Sequence, residues 1–558
     1  MIRIQQIKIS IFEAGKDRQK EKKLLSAKAA AILGCRPSDV RKLKILRRSV
    51  DARDKDNILF VYTLQVRLHD SIVGPSSATE AVYISRLRKK QVTQETQLPF
   101  CPEQAAAMSI SETRPVVIGT GPCGLFAALI LAEAGRKPIL LERGGPVDER
   151  TRRTERFFES GRLDPDCNVQ FGEGGAGTFS DGKLNTSIKD PGGFIAYVLQ
   201  TFVRFGADPE ILYDQKPHVG TDVLAEILPR IRAHIESLGG EYRFYTRAES
   251  FTSENGHLTG IQCIDLKSRT SVYLPCSQVL LAIGHSARDT YAMLHDNGIP
   301  MEAKPFAVGV RVQHPQQLID EAMYGKNRLS EKQEILGPSP YKLTHRAANG
   351  RNVFSFCMCP GGYVINSSSE EERLCINGMS MHDRDSGTAN SALIVNVDPS
   401  DYQNDPLAGI EFQRKLEEDA YHAADGCIPY ETYGEFAGEE AAPSGYGRFE
   451  GKFRGFAAAA DLRKILPGFV TEALLDGMQA FGRQISGYDD PDVIISAIEA
   501  RTSSPVRLLR DETRQCPLLC GLFPAGEGAG YAGGITSAAV DGIRSALAML
   551  ENTKLSGQ

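Results

Sequence analysis

The chain has 558 residues, of which 41% are hydrophobic and 24% charged, and its formal net charge is −5. This length exceeds what one hydrophobic core serves, and the composition excludes both a disordered chain and one embedded in a membrane. The first residues lack the long apolar run of a secretory signal, and the twelve cysteines are scattered. We therefore expect several domains, reduced thiols and a cytoplasmic location.

The first 95 residues predict a small basic α+β module. Residues 2–11 alternate apolar and polar side chains as a strand does, residues 17–33 suit a helix, and residues 40–53 and 57–68 suit two further strands. This order is βαββ. Residues 1–100 hold 21 lysines and arginines against 10 aspartates and glutamates. The excess indicates either a surface that docks on the acidic remainder, which we favour, or a site for an anion such as nucleic acid.

Residues 96–113 show no period and predict a linker, after which a glycine-rich fingerprint begins. Gly119, Gly121 and Gly124 follow the apolar run 115–118 and open the helix 125–134, and Glu142 ends the next strand. Such glycines allow a tight turn, a close approach of pyrophosphate and close helix packing, and the acid suits a ribose hydroxyl. The residues predicted to bind a dinucleotide here are Gly119, Gly121, Pro122, Cys123, Gly124, Glu142 and Arg143.

The remainder of the chain divides into an insertion and a return to the first unit. Residues 295–500 carry no second fingerprint and predict an inserted substrate domain, mostly of strands, with helices near 405–424 and 491–500. Residues 521–551 again read as strand, glycine turn and helix. We expect residues 114–294 and 501–558 to form one nucleotide-binding domain.

These motifs together resemble the flavoproteins with a glutathione-reductase-like FAD domain. The run VLLAIG at 279–284 matches the third motif of that family, and AGEGAGYAGGI at 525–535 matches its C-terminal motif. The resemblance implies FAD as the cofactor, with the acid of the last motif on the ribitol and its helix N-terminus toward the flavin ring. By this resemblance the cofactor-binding residues also include Gly284, Gly526, Glu527, Gly533, Gly534 and Ile535.

A narrower resemblance covers nearly the whole chain. The segments FGEGGAGTFSDGKLNT, SFCMCPGGYVINSSSEE and NGMSMHDRDSGTANSALIV are similar to a bacterial group of FAD-dependent dehydrogenases of unknown substrate. The domain plan resembles that of the fumarate-reductase branch. This resemblance implies that the loop with Gly174, Gly175 and Gly177 wraps the cofactor and that the backbone near Ala248 contacts adenine.

Candidates for the chemistry are fewer. Cys357 and Cys359 would project to the same side of an extended strand, where thiolates could exchange electrons or attack a substrate. His285 follows the third FAD motif, and Arg501 precedes the last one and suits a substrate carboxylate. Each of these residues has a purely structural alternative, and the sequence suggests no metal site.

The predicted fold is therefore α/β and α+β: a Rossmann-like, glutathione-reductase-type FAD domain with an inserted substrate domain and an N-terminal βαββ module. The predicted function is hydride transfer between a small-molecule substrate and flavin. NAD(P)H stays open as a transient donor. Two alternatives remain, a flavin-dependent RNA-modifying enzyme that grips RNA through the basic module and a non-catalytic flavin scaffold or sensor. The oligomeric state stays open.

Overall fold

The computed structural model describes residues 1–74, 76–94, 100, 113–438 and 449–555, with the backbone alone for 552–555. Its N-terminal part is a four-stranded antiparallel sheet in the order β2-β3-β1-β4, which packs against two long helices, α2 and α4. The elements are β1 Ile2–Ser10, α1 Ile11–Ala14, α2 Arg18–Leu33, β2 Val40–Asp51, β3 Leu59–Leu68, α3 Asp70–Val73, α4 Ser77–Leu87 and β4 Val92–Gln94.

The first βαββ order is as predicted, but the sequence did not reveal α4 and β4. β4 has three residues and is held by antiparallel pairing to β1, from Ile2↔Gln94 to Ile4↔Val92. A strand of three residues is too short to show a period of two, so only its partner defines it. The module is thus βαββαβ.

The module docks on an acidic segment of the remaining chain. Arg48 lies 2.6 Å from a carboxylate oxygen of Glu210 and 2.7 Å from one of Asp214. Arg18 pairs with Asp208 at 2.9 Å and with Glu210 at 3.0 Å. These contacts favour the interpretation that part of the positive charge of the N-terminal module serves to dock it on the rest of the chain.

The predicted linker 96–113 lies outside the described residues apart from Phe100 and Thr113. The ring of Phe100 packs 4.9 Å from that of Phe194 and 5.3 Å from that of Tyr197, centroid to centroid. This contact anchors one point of the segment to the next part of the fold.

The middle of the chain supplies most of a parallel sheet and an antiparallel one. The antiparallel sheet has the order β10-β9-β8. The elements are β5 Val116–Ile118, α5 Pro122–Glu133, β6 Ile139–Leu141, α6 Val147–Ser160, α7 Phe194–Arg204, α8 Thr221–Ser237, β7 Glu241–Arg243, β8 Thr246–Glu254, β9 His257–Asp265, β10 Thr270–Pro275, β11 Val279–Leu281 and α9 Arg288–Asp296.

The following part contains a seven-stranded sheet in the order β14-β15-β18-β13-β22-β19-β21, a three-stranded sheet β17-β16-β20 and the pair β12-β23. Its elements are β12 Met301–Ala303, β13 Phe306–Pro315, α10 Gln316–Tyr324, α11 Leu329–Leu336, β14 Thr344–Arg346, β15 Asn352–Cys359, β16 Tyr363–Asn366, β17 Ile376–Met379, β18 Thr388–Val397, α12 Ala408–Ala423, β19 Ile428–Thr432, α13 Tyr433–Ala437, β20 Phe453–Arg454, β21 Ala457–Ala459, α14 Gly468–Gly482, β22 Ile494–Glu499 and β23 Val506–Leu508.

One of the two helices predicted in this part is present and the other is wrong. The helix near 405–424 is α12, whereas residues 491–500 contain the strand β22. All six residues of β22 are buried, and the strand lies between β13 and β19. A strand covered on both faces forms a largely apolar run without alternation, so hydrophobicity alone does not distinguish it from a buried helix.

The two ends of the chain beyond the N-terminal module meet in one sheet. β24, Leu522–Pro524, pairs in parallel with β11, and the five-stranded sheet has the order β24-β11-β5-β6-β7. The last helix, α15 Ile535–Leu555, packs on α5 in a shared core. This arrangement brings the turns after β24, β11, β5 and β6 to the same edge. The domain boundaries at 294/295 and 500/501 stay predictions.

Among the described residues, no helix combines the length and the apolar character needed to cross a membrane.

Candidate functional site

A cavity of about 250 Å³ lies at the carboxyl ends of the parallel strands. Open α/β sheets bind ligands at this edge. Of the predicted site residues, the following line the cavity: Gly119, Gly121, Pro122, Cys123, Glu142, Arg143, Gly175, Gly177, Ala248, Gly284, His285, Cys357, Arg501, Glu527, Gly534 and Ile535. The predicted residues outside this lining are Gly124, Gly174, Cys359, Gly526 and Gly533.

Each of the three glycines in the first glycine turn has a different structural role. Gly119 has φ +94°, and a Cβ there would lie 2.3 Å from the carbonyl oxygen of Ala282. A Cβ on Gly124 would lie 1.9 Å from the carbonyl oxygen of Gly119, so Gly124 serves the packing of α5 on β5. A Cβ on Gly121 would instead meet nothing closer than 3.7 Å. Gly121 therefore leaves open the space that a bound group would need.

A second glycine loop, residues 172–177, lies against the first. Gly174 N donates to Thr120 O at 3.0 Å. Gly175 has φ +63°, and a Cβ there would lie 2.8 Å from Gly121 Cα. Gly174 thus holds the two loops together from behind, while Gly175 and Gly177 form part of the cavity wall.

The second loop is held by Arg150, which the sequence did not point to. Its side chain is fully buried, and burial lowers its pKa to about 10, which leaves it charged at neutral pH. A Cβ on Gly172 would lie 2.4 Å from its Cδ. The guanidinium donates at 2.7–2.9 Å to the carbonyl oxygens of Asn168, Val169, Glu173 and Gly175.

Glu142 has a different set of partners from the one predicted. Its Oε2 accepts from Thr120 N at 3.0 Å and Thr120 Oγ1 at 2.7 Å, and its Oε1 accepts from Gly144 N and Gly172 N, both at 2.9 Å. A carboxylate has about four acceptor sites. Glu142 therefore joins the two glycine loops, and a hydrogen bond from a ribose hydroxyl would have to share or displace one of these donors.

Two further predicted residues lie near Glu142. The guanidinium of Arg143 stacks 4.4 Å from the ring centroid of Phe171 and pairs with Asp289 at 2.8 Å. Ala248 is buried on β8 and lines the cavity. Their contact with adenine stays a prediction.

The C-terminal motif approaches the cavity from the other side. Gly534 and Ile535 line the cavity at the start of α15. Burial raises the pKa of Glu527 to about 7, although the Gly534 N–H and Lys304 act in the opposite direction. Gly526 lies behind, where its N–H donates to Asp541 Oδ2 at 2.8 Å.

These features fit a dinucleotide such as FAD. The N-termini of α5 and α15 face the same cavity, and no side chain within the described residues caps α5. Helix N-termini present free N–H groups and a positive dipole to anions. The open space at Gly121 lies directly beside the start of α5. The site thus offers a pyrophosphate-sized opening between two glycine loops.

His285 lies on the wall of the cavity after β11. Its Nδ1 is 2.9 Å from Ser286 Oγ. Burial lowers the pKa of His285 to about 3, and the nearby Arg501 and Arg288 add to this. The imidazole is therefore neutral at neutral pH, where it offers hydrogen bonds rather than charge.

Arg501 belongs to a buried network of charges beside the cavity. Its Nε and Nη2 donate to the two carboxylate oxygens of Glu417 at 2.8 and 2.7 Å, and Arg288 shares the same carboxylate at 2.7 Å. Burial would raise the pKa of Glu417, but Arg288 and Arg501 outweigh it and lower this pKa to about 2. Glu370 and Arg414 extend the network. Arg373 and Glu411 extend it further, so its positive and negative charges alternate. Arg501 is the member of this network that lines the cavity.

Cys357 and Cys359 lie together, but not for the reason predicted. Cys357 has φ +43°, and the pairing of β15 with β18 is irregular between Phe356 and Cys359. The segment is therefore not an extended strand with alternating side chains. Cys359 Sγ donates to Cys357 O at 3.2 Å, and Cys357 lines the cavity while Cys359 is buried behind it.

A lysine and an aspartate that the sequence analysis did not single out complete this corner. Lys183 lines the cavity, donates to Met358 O and lies 3.5 Å from Asp181 Oδ2. Arg384 also pairs with Asp181. Asp181 and Lys183 belong to the glycine-rich segment 171–186, so their position in that segment was the available signal.

No group of three or more His, Cys, Asp or Glu side chains in the described part of the chain could hold a metal ion.

Comparison with known proteins gives two kinds of match. The model of the "FAD-dependent protein, C-terminal domain-like" family matches residues 305–502, and a domain of unknown function matches residues 1–67. A protein of Clostridium beijerinckii, described as an uncharacterized protein, is 42% identical over 565 residues, which cover 99% of each chain.

Solved structures are also similar to this chain. A glycerol-3-phosphate dehydrogenase from Bacillus halodurans complexed with FAD is 12% identical, with a TM-score of 0.33 over 81% of this chain and 67% of its own. The quinol fumarate reductase of E. coli is 12% identical, with a TM-score of 0.34 over 80% and 71%.

Proposed function

We propose that this chain, which belongs to a family of FAD-dependent proteins together with the Clostridium beijerinckii protein, is an oxidoreductase that moves a hydride between a small substrate and FAD. The observation that carries the proposal is one cavity that combines two glycine loops and two helix N-termini with His285, Cys357, Arg501 and Lys183 on its wall. A site that only bound a nucleotide would not need this second set of groups.

The residues that would hold FAD follow from the cavity. The glycine loops and the start of α5 suit the pyrophosphate, and Glu527 with the start of α15 suits the flavin end. When bound, the flavin supplies the centre that accepts or donates a hydride. The protein then has to bind the substrate, orient it and exclude water.

The polar groups on the wall define the substrate. Arg501 lines the cavity, and a guanidinium pairs well with a carboxylate, so we propose a substrate with a carboxylate or another anionic group. Neutral His285 can hold a carbonyl or hydroxyl oxygen by a hydrogen bond, and half-protonated Glu527 can hold or release a proton at its carboxylate.

The RNA-modifying alternative has weaker support. Arg18 and Arg48 of the basic module are occupied in ion pairs with residues 208–214. We propose no nucleic acid or membrane partner.

The eleven described cysteines are all free thiols, which supports a reducing compartment such as the cytoplasm.

The experiment is anaerobic absorbance of the purified protein before and after addition of NADH or NADPH. We expect an oxidised-flavin band near roughly 450 nm. Rapid bleaching would identify a nicotinamide-fed reductase. A band that persists with both donors but bleaches with a small anionic metabolite would identify a substrate dehydrogenase. Protein that neither contains flavin nor takes it up would refute the proposal, and a flavin that no donor reduces would favour a scaffold or sensor.

A further inference from the structure

The cavity wall contains a cysteine in a conformation that side chains rarely adopt. The φ of +43° at Cys357 lies in the left-handed region, which is unfavourable for residues other than glycine. Contacts on both sides hold it there, since Arg311 Nη1 donates to Cys357 O at 3.3 Å and Cys359 Sγ donates to the same oxygen at 3.2 Å. Backbone strain of this kind persists where the surrounding structure enforces it, and strained residues cluster at active sites.

Positive charge approaches this thiol from two separate parts of the chain. Lys183 donates to the carbonyl oxygen of Met358, the residue between the two cysteines. Arg311 is fully buried on β13 and reaches the backbone of Cys357.

Two carboxylates pair with these cations. Asp181 lies 3.5 Å from Lys183, and although burial raises its pKa, Lys183 and Arg384 lower it overall, so it is ionised at neutral pH. Glu499 pairs with Arg311 at 2.8 Å, and burial raises its pKa to about 7. Lys183 and Arg311 are nevertheless the charged groups that donate to the backbone of the cysteine segment.

Cys359 is placed to favour that ionisation. Its single S–H proton donates to Cys357 O, and the two thiols also lie close enough for this proton to be donated to Cys357 Sγ instead. A hydrogen bond to a thiolate stabilises the charged form. The neighbouring Cys359 thiol, together with Lys183 and Arg311, lowers the pKa of Cys357 below its usual range although burial opposes this.

We propose that Cys357 is a nucleophilic thiolate of this site and attacks a small, anionic electrophile that enters the cavity. The inference rests on the proposed function and deepens it, because it adds a covalent step to the same site. The electron pair of the thiolate forms an S–C bond, and the leaving group departs from that carbon with the electrons of its own bond. Cys359 is a positioning residue that donates a hydrogen bond and keeps its own proton.

The test is alkylation of the full-length protein with iodoacetamide across pH 5 to 10, read for each cysteine by peptide mass spectrometry. Cys35 and Cys427 are internal controls, since both are partly exposed and burial raises their pKa. We expect Cys357 to react at least about tenfold faster than either control at pH 6.5, because the thiolate is the reacting species. The measurement is made with and without bound flavin, and Cys357 should react faster than the controls in both forms.

Variants separate the contributions of Cys359 and Lys183 to the ionisation of Cys357. Cys359→Ala and Lys183→Met should raise the pH at which the alkylation rate of Cys357 is half-maximal. Cys359→Ser retains the hydrogen-bond donor and Lys183→Arg retains the charge, so both should leave this pH unchanged. The ratio of the alkylation rate with anionic iodoacetate to the rate with iodoacetamide should be higher at Cys357 than at Cys427. Lys183→Met should lower this ratio at Cys357.

Two results would overturn the inference. One is a flavin-free, folded protein in which Cys357 reacts no faster than Cys427, and the other is a half-maximal pH at Cys357 as high as that of the controls. An inert Cys357 in a protein whose flavin is reducible would leave the proposed function intact. A reactive Cys357 in a protein that binds no flavin would refute the proposed function, but the inference that Cys357 is a thiolate would stand.

Discussion

Gly121 and Gly175 lie back to back, so that a Cβ built on Gly175 would come within 2.8 Å of the Cα of Gly121. The two residues belong to different glycine loops, and neither loop alone would form the wall of the cavity. Their contact leaves no room for a side chain on Gly175 and makes one surface of the two loops.

Gly175→Ala should therefore abolish retention of flavin. The added methyl group would push the two loops apart, and alanine at φ +63° and ψ −166° adds about 1–3 kcal/mol of backbone strain. The measurement is the flavin absorbance per protein after gel filtration. Gly256→Ala is the control, since Gly256 has φ +78° but its Cβ would meet nothing within 4 Å. Equal flavin retention in both variants would contradict the prediction.

Arg150→Lys should weaken flavin binding by at least about tenfold. Lysine carries one ammonium group, which does not reproduce the fork that reaches four carbonyl oxygens, two of them in the loop 172–177 and two just before it. The loop would therefore lose its shape. Binding is measured by titrating flavin-free protein with FAD. Arg152→Lys, on the exposed side of the same helix, should leave the affinity unchanged.

Glu527 should make the stability of the flavin-free protein depend on pH. Burial raises its pKa in the folded state to about 7, above the ordinary 4.5. The folded state therefore binds the proton more tightly, and this stability is present below pH 4.5 and is lost as the pH rises through about 7. We expect the difference in Tm between pH 5 and pH 8 to be smaller in Glu527→Gln than in the wild type. Glu512→Gln, at an exposed turn, should behave as the wild type.

Glu417 should act with the opposite sign. Its pKa is lowered to about 2, so its contribution to stability is complete above pH 4.5 and is lost as the pH falls toward 2. Glu417→Gln should lower the free energy of unfolding at pH 7 by about 3–5 kcal/mol, because two buried arginines lose their shared carboxylate. Denaturant unfolding at pH 7 and pH 3 measures both effects. The adjacent Glu418→Gln, at a more exposed pair with Arg373, is the control.

Arg48→Ala should loosen the N-terminal module. Removal of the Arg48 guanidinium would leave Glu210 and Asp214 without their shared cation, which should weaken the docking of the module by about 2 kcal/mol. Limited proteolysis should then cleave the chain between the module and residue 113 faster than in the wild type. Arg47→Ala changes an exposed residue of the same strand and should cleave at the wild-type rate.

The fold was predictable from sequence wherever the signal was local. The glycine turns after β5 and β24 follow from backbone conformations and close contacts that only glycine allows. The strands β1, β2 and β3 follow from side-chain alternation, and α2 follows from its content of helix-favouring residues. The strand at 494–499 was missed because a strand buried on both faces has no alternation, and β4 because three residues have no period.

The sequence by itself determined the family resemblance, the FAD-binding motifs and most of the residues that line the cavity, because each motif is a short run with its own conformational requirement. Only the tertiary structure decided what those residues contact. It occupied the carboxylate of Glu142 with loop donors, placed Arg150 behind the second glycine loop and gathered Lys183, Asp181 and Arg311 around Cys357. Apart from the pair of Lys183 with Asp181, these contacts join residues far apart in the chain, so no local pattern encodes them.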